Sequence, residues 1–104
     1  MSEKFIPNGD FDFVMMAEHF ARSIAAEPGR FAVAQADAEE LSAAVVNFRA
    51  ALNAARGGMR SAAATRAKEE ARAGAEKIVR KMAAVIRVNE RIDAAAKVLL
   101  GLRR

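Results

Sequence analysis

His19 is the only imidazole in the chain, and there is no cysteine, tyrosine or tryptophan. A histidine acting as general base needs a carboxylate or a nucleophile within reach on its own helix or a facing one. The neighbours of His19 on a helical face are Met15, Met16, Arg22 and Ser23, with Glu18 adjacent in sequence. None of these completes a catalytic pair, so His19 reads as a partly exposed polar residue. A di-iron bundle would need a glutamate three residues before the histidine, and Met16 stands there. The acidic doublets Glu39-Glu40 and Glu69-Glu70 fall near helix starts, where carboxylates complement the helix dipole. Gly57-Gly58 lacks the Gly-Lys-Ser/Thr of a phosphate loop. The sequence therefore predicts no catalytic residue, no metal ligand, no cofactor and no small-molecule substrate: a protein that is not an enzyme.

The remaining chemistry is cationic. Arg56, Arg60, Arg66, Lys68, Arg72, Lys77, Arg80, Lys81 and Arg87 run through the second half, with Arg103-Arg104 at the end. The net charge of +4 divides into −4 over residues 1–54 and +8 over residues 55–104. Such a split serves either complementary packing or a basic partner surface. Arg60, Arg66, Lys68, Arg72, Lys77, Arg80, Lys81 and Arg87 form the candidate basic surface, and phosphate contact is its natural use. Nucleic-acid binding is thus the alternative function. Glu69, Glu70 and Glu76 interrupt the series, with Arg72 and Arg80 at pairing distance from Glu69 and Glu76, and no aromatic residue lies among the cations to stack on bases.

These residues sit on helices. Pro7-Asn8-Gly9-Asp10 is a turn signal, after which Asp10 or Asp12 is expected to cap a first helix. Phe13, Met16, Phe20 and Ile24 recur at three- and four-residue spacing, one helical stripe. Pro28-Gly29 ends it. Residues 30–36 form a link with Phe31 and Val33 turned inward. Asp37 and Glu40 read as the capping box of a second helix. Its stripe is Leu41, Val45, Phe48, Leu52, Ala55, Met59 and Ala62. A further stripe, Ala71, Ala75, Ile78, Met82 and Val85, lies about half a revolution away from the first if the helix is continuous. A single helix over 37–87 would be about 75 Å long. Two readings stay open: a turn within 57–68, which Gly57-Gly58 favours, or one long helix packing on different partners at its two ends. Asn89 is expected to cap a short last helix with Ile92, Ala95, Val98 and Leu99 as its stripe, ended by Gly101. The fold class is all-α: an antiparallel bundle of three helices plus a short C-terminal one. It forms one domain over residues 1–104 with 1–9 as an N-terminal arm, complete or part of a longer protein.

Phe5-Ile6-Pro7, Phe13, Phe20, Phe48, Thr65, Lys68, Arg72, Ile78, Arg80, Val88, Asp93 and Leu100-Gly101-Leu102 together give the sequence a pattern. In these residues it resembles a group of small bacterial alanine-rich helical proteins. It departs from them at Gly57-Gly58. The resemblance implies a helical fold and brings no activity and no catalytic residue.

Hydrophobic residues make up 53% of the chain, but many are alanines, which remove little surface from water. All six phenylalanines lie in the first half. So little bulk predicts a marginal monomer and hence a homo-oligomer, a dimer being favoured. The expected interface is Leu41, Val45, Phe48, Leu52, Ile78, Met82 and Val85, on the apolar faces of the second and third helices. The leading function is accordingly a helical oligomerisation or protein-interaction module. No secretion leader or membrane-spanning run is visible and there is no cysteine, so a cytoplasmic location is expected.

Overall fold

The computed structural model describes residues 5–57 and 61–102. Helix α1 spans Asp10–Ala26, a 3-10 turn follows at Pro28–Phe31, α2 spans Gln35–Arg56, α3 Ala62–Val88 and α4 Ala94–Leu99. No strand occurs among the described residues. Helix α2 ends at Arg56 and α3 begins at Ala62, so the two are separate helices, and they pack side by side. The predicted positions Met59 and Arg60 lie outside the described residues, as do Arg103 and Arg104.

Cross-helix contacts give the directions. Phe13 stacks obliquely on Phe48 with ring centroids 5.5 Å apart, while the Arg56 guanidinium lies over the Phe11 ring. Early α1 therefore meets late α2, and the pair is antiparallel. Asp10 meets Lys68 and Arg72, and Arg30 approaches Asp93, so α1 and α3 run the same way. Residues 5–9 and helix α4 lie between α1 and α3: Phe5 sets its ring edge against Phe20, and Lys97 Nζ donates to the Arg87 carbonyl at 2.9 Å.

The bulky stripes pack as their spacing predicts. Phe13, Phe20 and Ile24 of α1 are buried, with Val14, Ala17 and Ala21 beside them. Leu41, Val45, Phe48, Leu52 and Ala55 of α2 are buried too, whereas Ala62 is exposed. Phe31 is buried and Val33 half-buried, as expected of the link.

On α3 the phase differs from the expectation. The closed core takes Ala75, Val79, Ala83 and Ile86, while Ala71, Ile78 and Met82 are only partly covered and Val85 is 58% exposed. The buried face is advanced by about one residue, roughly 100° around the helix. The cause is the Arg72 contact with Asp10 and with the face of Phe13, which draws the adjoining side of α3 onto α1. The last helix shows the same kind of shift. Ile92, Ala96, Leu100 and Leu102 are buried, but Ala95, Val98 and Leu99 face outward.

Several expected caps are placed differently. Helix α2 starts at Gln35 with Ala34 before it and no side-chain cap, so Asp37 and Glu40 make no capping box. Gly9 precedes α1, and Asp10 and Asp12 sit inside its first turn, where their charge still complements the helix dipole. Asn89 closes α3 and accepts from the Arg91 amide through Oδ1, and Asp93 precedes α4. Among the described residues the one side-chain N-cap is Ser61, whose Oγ accepts from Ala64 N at 3.0 Å. Gly101 has φ +82° after α4, with Gly101 N bonded to the Val98 carbonyl and Leu102 N to that of Lys97. This is a Schellman ending, with Leu102 tucked into the core.

Candidate interaction surface

Among the clefts beside α3, two lie on opposite sides of its buried face. The first holds about 720 Å³ between residues 5–8 and the Arg72–Arg87 side of α3. Four of its charged groups, Asp10, Arg72, Glu76 and Arg80, are engaged with one another. Arg72 donates to Asp10 at 2.9 Å, to Glu76 and to the Pro7 carbonyl, and its guanidinium lies 4.6 Å from the centre of the Phe13 ring. Lys68 Nζ reaches Asp10 at 2.8 Å, and Arg80 reaches Glu76 at 3.4 Å. The hydrogen bond from Lys68, aided by Arg72 and opposed by burial, holds the Asp10 carboxyl below its ordinary pKa. The opposed charges of the two chain halves are thus partly joined inside one copy. Glu18 is likewise lowered by its hydrogen bonds from Arg49, at 2.8 Å each, against a smaller burial effect. This cleft is a clasp that fastens the start of α1 and the segment before it onto α3.

The second cleft is apolar. It holds about 420 Å³ and runs along α3 beside α2 and the Pro28–Phe31 turn. Ile78, Met82, Val85 and Ile86 line it from α3, and Phe31 and Val33 from the link. Asp37 and Glu40 of α2 form one edge, Lys77 and Lys81 of α3 the other. All four are exposed, and none joins an ion pair among the described residues. The α3 backbone at Gly74 belongs to the same wall. A Cβ added there would meet nothing within 4 Å, so the space above that turn of helix is open.

The residues expected at an interface divide accordingly. Leu41, Val45, Phe48 and Leu52 lie in this chain's own core and offer no surface, because α1 and α3 cover that face of α2. Ile78, Met82 and Val85 line the groove. Of the basic series, Lys68, Arg72 and Arg80 are paired with carboxylates of the same chain, while Arg66, Lys77, Lys81 and Arg87 are exposed without an ion pair among the described residues. Arg72 pairs with Asp10 and Glu76 rather than with Glu69. His19 has a partner that no local pattern reveals: its Nε2 lies 2.8 Å from the Leu99 carbonyl, joining α1 to the end of α4. Sequence reasoning also missed the acidic edge, whose two residues it read as a cap, and Gly74, whose signal was a lone glycine among strong helix formers.

Among the described residues no group of three or more His, Asp or Glu side chains could hold a metal ion, and no helix is long and apolar enough to cross a membrane. Comparison with protein-family models, with curated proteins and with solved structures gives no match to this chain.

Proposed function

We propose that this chain is a non-enzymatic helical module that associates with a second copy of itself through the groove between α2 and α3. The observation that supports this is the row Ile78, Met82 and Val85, the first two only partly covered and the last exposed, beside a closed core. The apolar arc of α3 is wider than α1 and α2 can cover, because Val79, Ala83 and Ile86 already use their inner surface. Fully burying a Val, Ile or Met side chain is worth about 1.5–3 kcal/mol relative to leaving it exposed. These side chains are partly covered already, so each retains a fraction of that, and a two-fold arrangement collects it twice. The mutual pairing of Asp10, Arg72, Glu76 and Arg80 in the other cleft supports the non-enzymatic half of the reading.

Light scattering or equilibrium sedimentation tests it. The wild type should be dimeric, and Val85→Asp should be monomeric with an unchanged far-ultraviolet circular dichroism spectrum, since Val85 lies outside the core. Val46→Asp, on an exposed site of α2 outside the groove, should leave the dimer intact. A wild type that stays monomeric up to about 100 μM, toward the weak end of specific association, refutes the proposal.

A further inference from the structure

Resting on that reading, we infer that the two copies meet in a parallel two-fold arrangement in which the acidic edge of each groove faces the basic edge of the other. The inference comes from the order of charges across the groove. Asp37 and Glu40 stand on the α2 side, the apolar row runs down the middle, and Lys77 and Lys81 stand on the far side. Two faces brought together by a two-fold axis have that axis in the plane between them. Only two directions suit a groove: along its length or across it. An axis across the groove leaves left and right unchanged, so lysine meets lysine and carboxylate meets carboxylate. An axis along the groove exchanges left and right. Lys77 and Lys81 of one copy then face Asp37 and Glu40 of the other, and the two α3 helices run parallel. Like-charge juxtaposition at an interface is strongly unfavourable, and complementary edges set orientation. The four charged groups suit this use because none has an ion-pair partner within its own chain among the described residues.

Gly74 supports a helix as the body that enters the groove. Glycine in mid-helix is unfavourable, and here, among the described residues, nothing beyond the helix's own backbone lies within 4 Å of the position a Cβ would take. A second α3 crossing at this point uses the missing side chain, because small residues let helix backbones approach closely.

The geometry also fixes which residues meet their own counterparts. Under an axis along the groove, Ile78 faces Ile78 of the second copy and Val85 faces Val85. Under an axis across it, Ile78 faces Val85. The two positions are seven residues apart, about 10 Å along the helix, which is beyond the Cα separation a disulfide spans.

The chain has no cysteine, so single substitutions report cleanly. Ile78→Cys and Val85→Cys proteins are oxidised separately and as a mixture and read by non-reducing electrophoresis. Charge reversal provides the second arm, with Lys77→Glu/Lys81→Glu as one variant and Asp37→Lys/Glu40→Lys as the other. Each should bind itself at least tenfold more weakly than the wild type binds itself, while the mixture recovers a heterodimer. Circular dichroism confirms that each variant folds; all four sites are exposed. Self-crosslinking at both cysteine positions with heterodimer recovery supports the arrangement. Crosslinking only between Ile78→Cys and Val85→Cys, or reversal variants that dimerise like the wild type, overturns it while leaving self-association standing. A wild type that does not self-associate overturns this arrangement and the proposed function together.

Discussion

Replacing Gly74 with alanine should stabilise the isolated chain and weaken its self-association, two opposite effects of one methyl group. The gain comes from the helix. Gly74 lies in the interior of the 27-residue α3, where glycine costs about 1 kcal/mol relative to alanine. Nothing offsets that gain within the chain. An added Cβ meets no atom within 4 Å, and the only described glycine with positive φ is Gly101. For a domain of this size, 1 kcal/mol moves the melting temperature by about 4–8 °C. The loss comes from the groove. The new methyl projects from the wall that we assign to the second copy, so the association constant should fall. Thermal melts in the dilute, monomeric range and again at concentrations well above the dimer Kd separate the two, because dimerisation makes melting temperature depend on concentration. Gly74→Ala should melt higher than wild type when dilute, and the advantage should shrink or reverse when concentrated. A lower melting temperature in the dilute range would show that the space above Gly74 is not open. An unchanged dimer Kd would remove Gly74 from the interface.

Further outcomes follow from the core and the clasp. Truncating Phe48→Ala removes a fully buried ring packed on Phe13 and should cost about 3–5 kcal/mol, measured by urea unfolding. Asp10 and Glu18 have carboxyl pKa values lowered by Lys68 and Arg49 respectively, so their contribution is fully present above the ordinary carboxylate range near about pH 4. It is lost as pH falls through their folded-state values. Stability measured from neutral pH downward should drop there, and the drop should be shallower in Asp10→Asn; an identical acid limb would rule the clasp out as its source. His19→Ala should lower stability by about 0.5–1.5 kcal/mol, the range for one hydrogen bond, and increase amide exchange in α4. Unchanged exchange at α4 would mean that the contact with the Leu99 carbonyl does not hold that helix.

Legibility in the sequence followed side-chain size. The α1 and α2 stripes contain Phe13, Phe20, Ile24, Leu41, Phe48 and Leu52, whose bulk leaves one way to turn the helix, and the structure buries all six. Helix α3 offers Ile78, Val79, Met82, Val85 and Ile86 among alanines. That composition makes an apolar arc rather than a line, and periodicity alone does not say which part of an arc is closed. The deciding contact pairs Arg72 with a residue 62 positions earlier, and spacing along one helix carries no such information. Asp37 and Glu40 show the same limit. Their spacing fits a capping box, but α2 starts two residues before Asp37, which puts both side chains inside the helix at the groove edge. The groove residues Ile78, Met82 and Val85 were therefore nameable from sequence, but the carboxylates opposite them were not.

The ring of Phe5 lies 3.8 Å from where a Gly101 side chain would begin, so the described ends of the polypeptide are neighbours. Connecting points already in contact adds little loop-closure entropy. A short linker could thus join them into a closed circle, and the circle could be reopened between α2 and α3. The permuted protein would begin with α3, pass through α4, the linker and α1, and finish with α2. Every buried side chain would keep its neighbours. Folding of such a protein would make the order of helices along the backbone incidental to this bundle, and its new termini, at the end of α2 and the start of α3, would lie away from the groove that Asp37, Glu40 and Gly74 to Ile86 line.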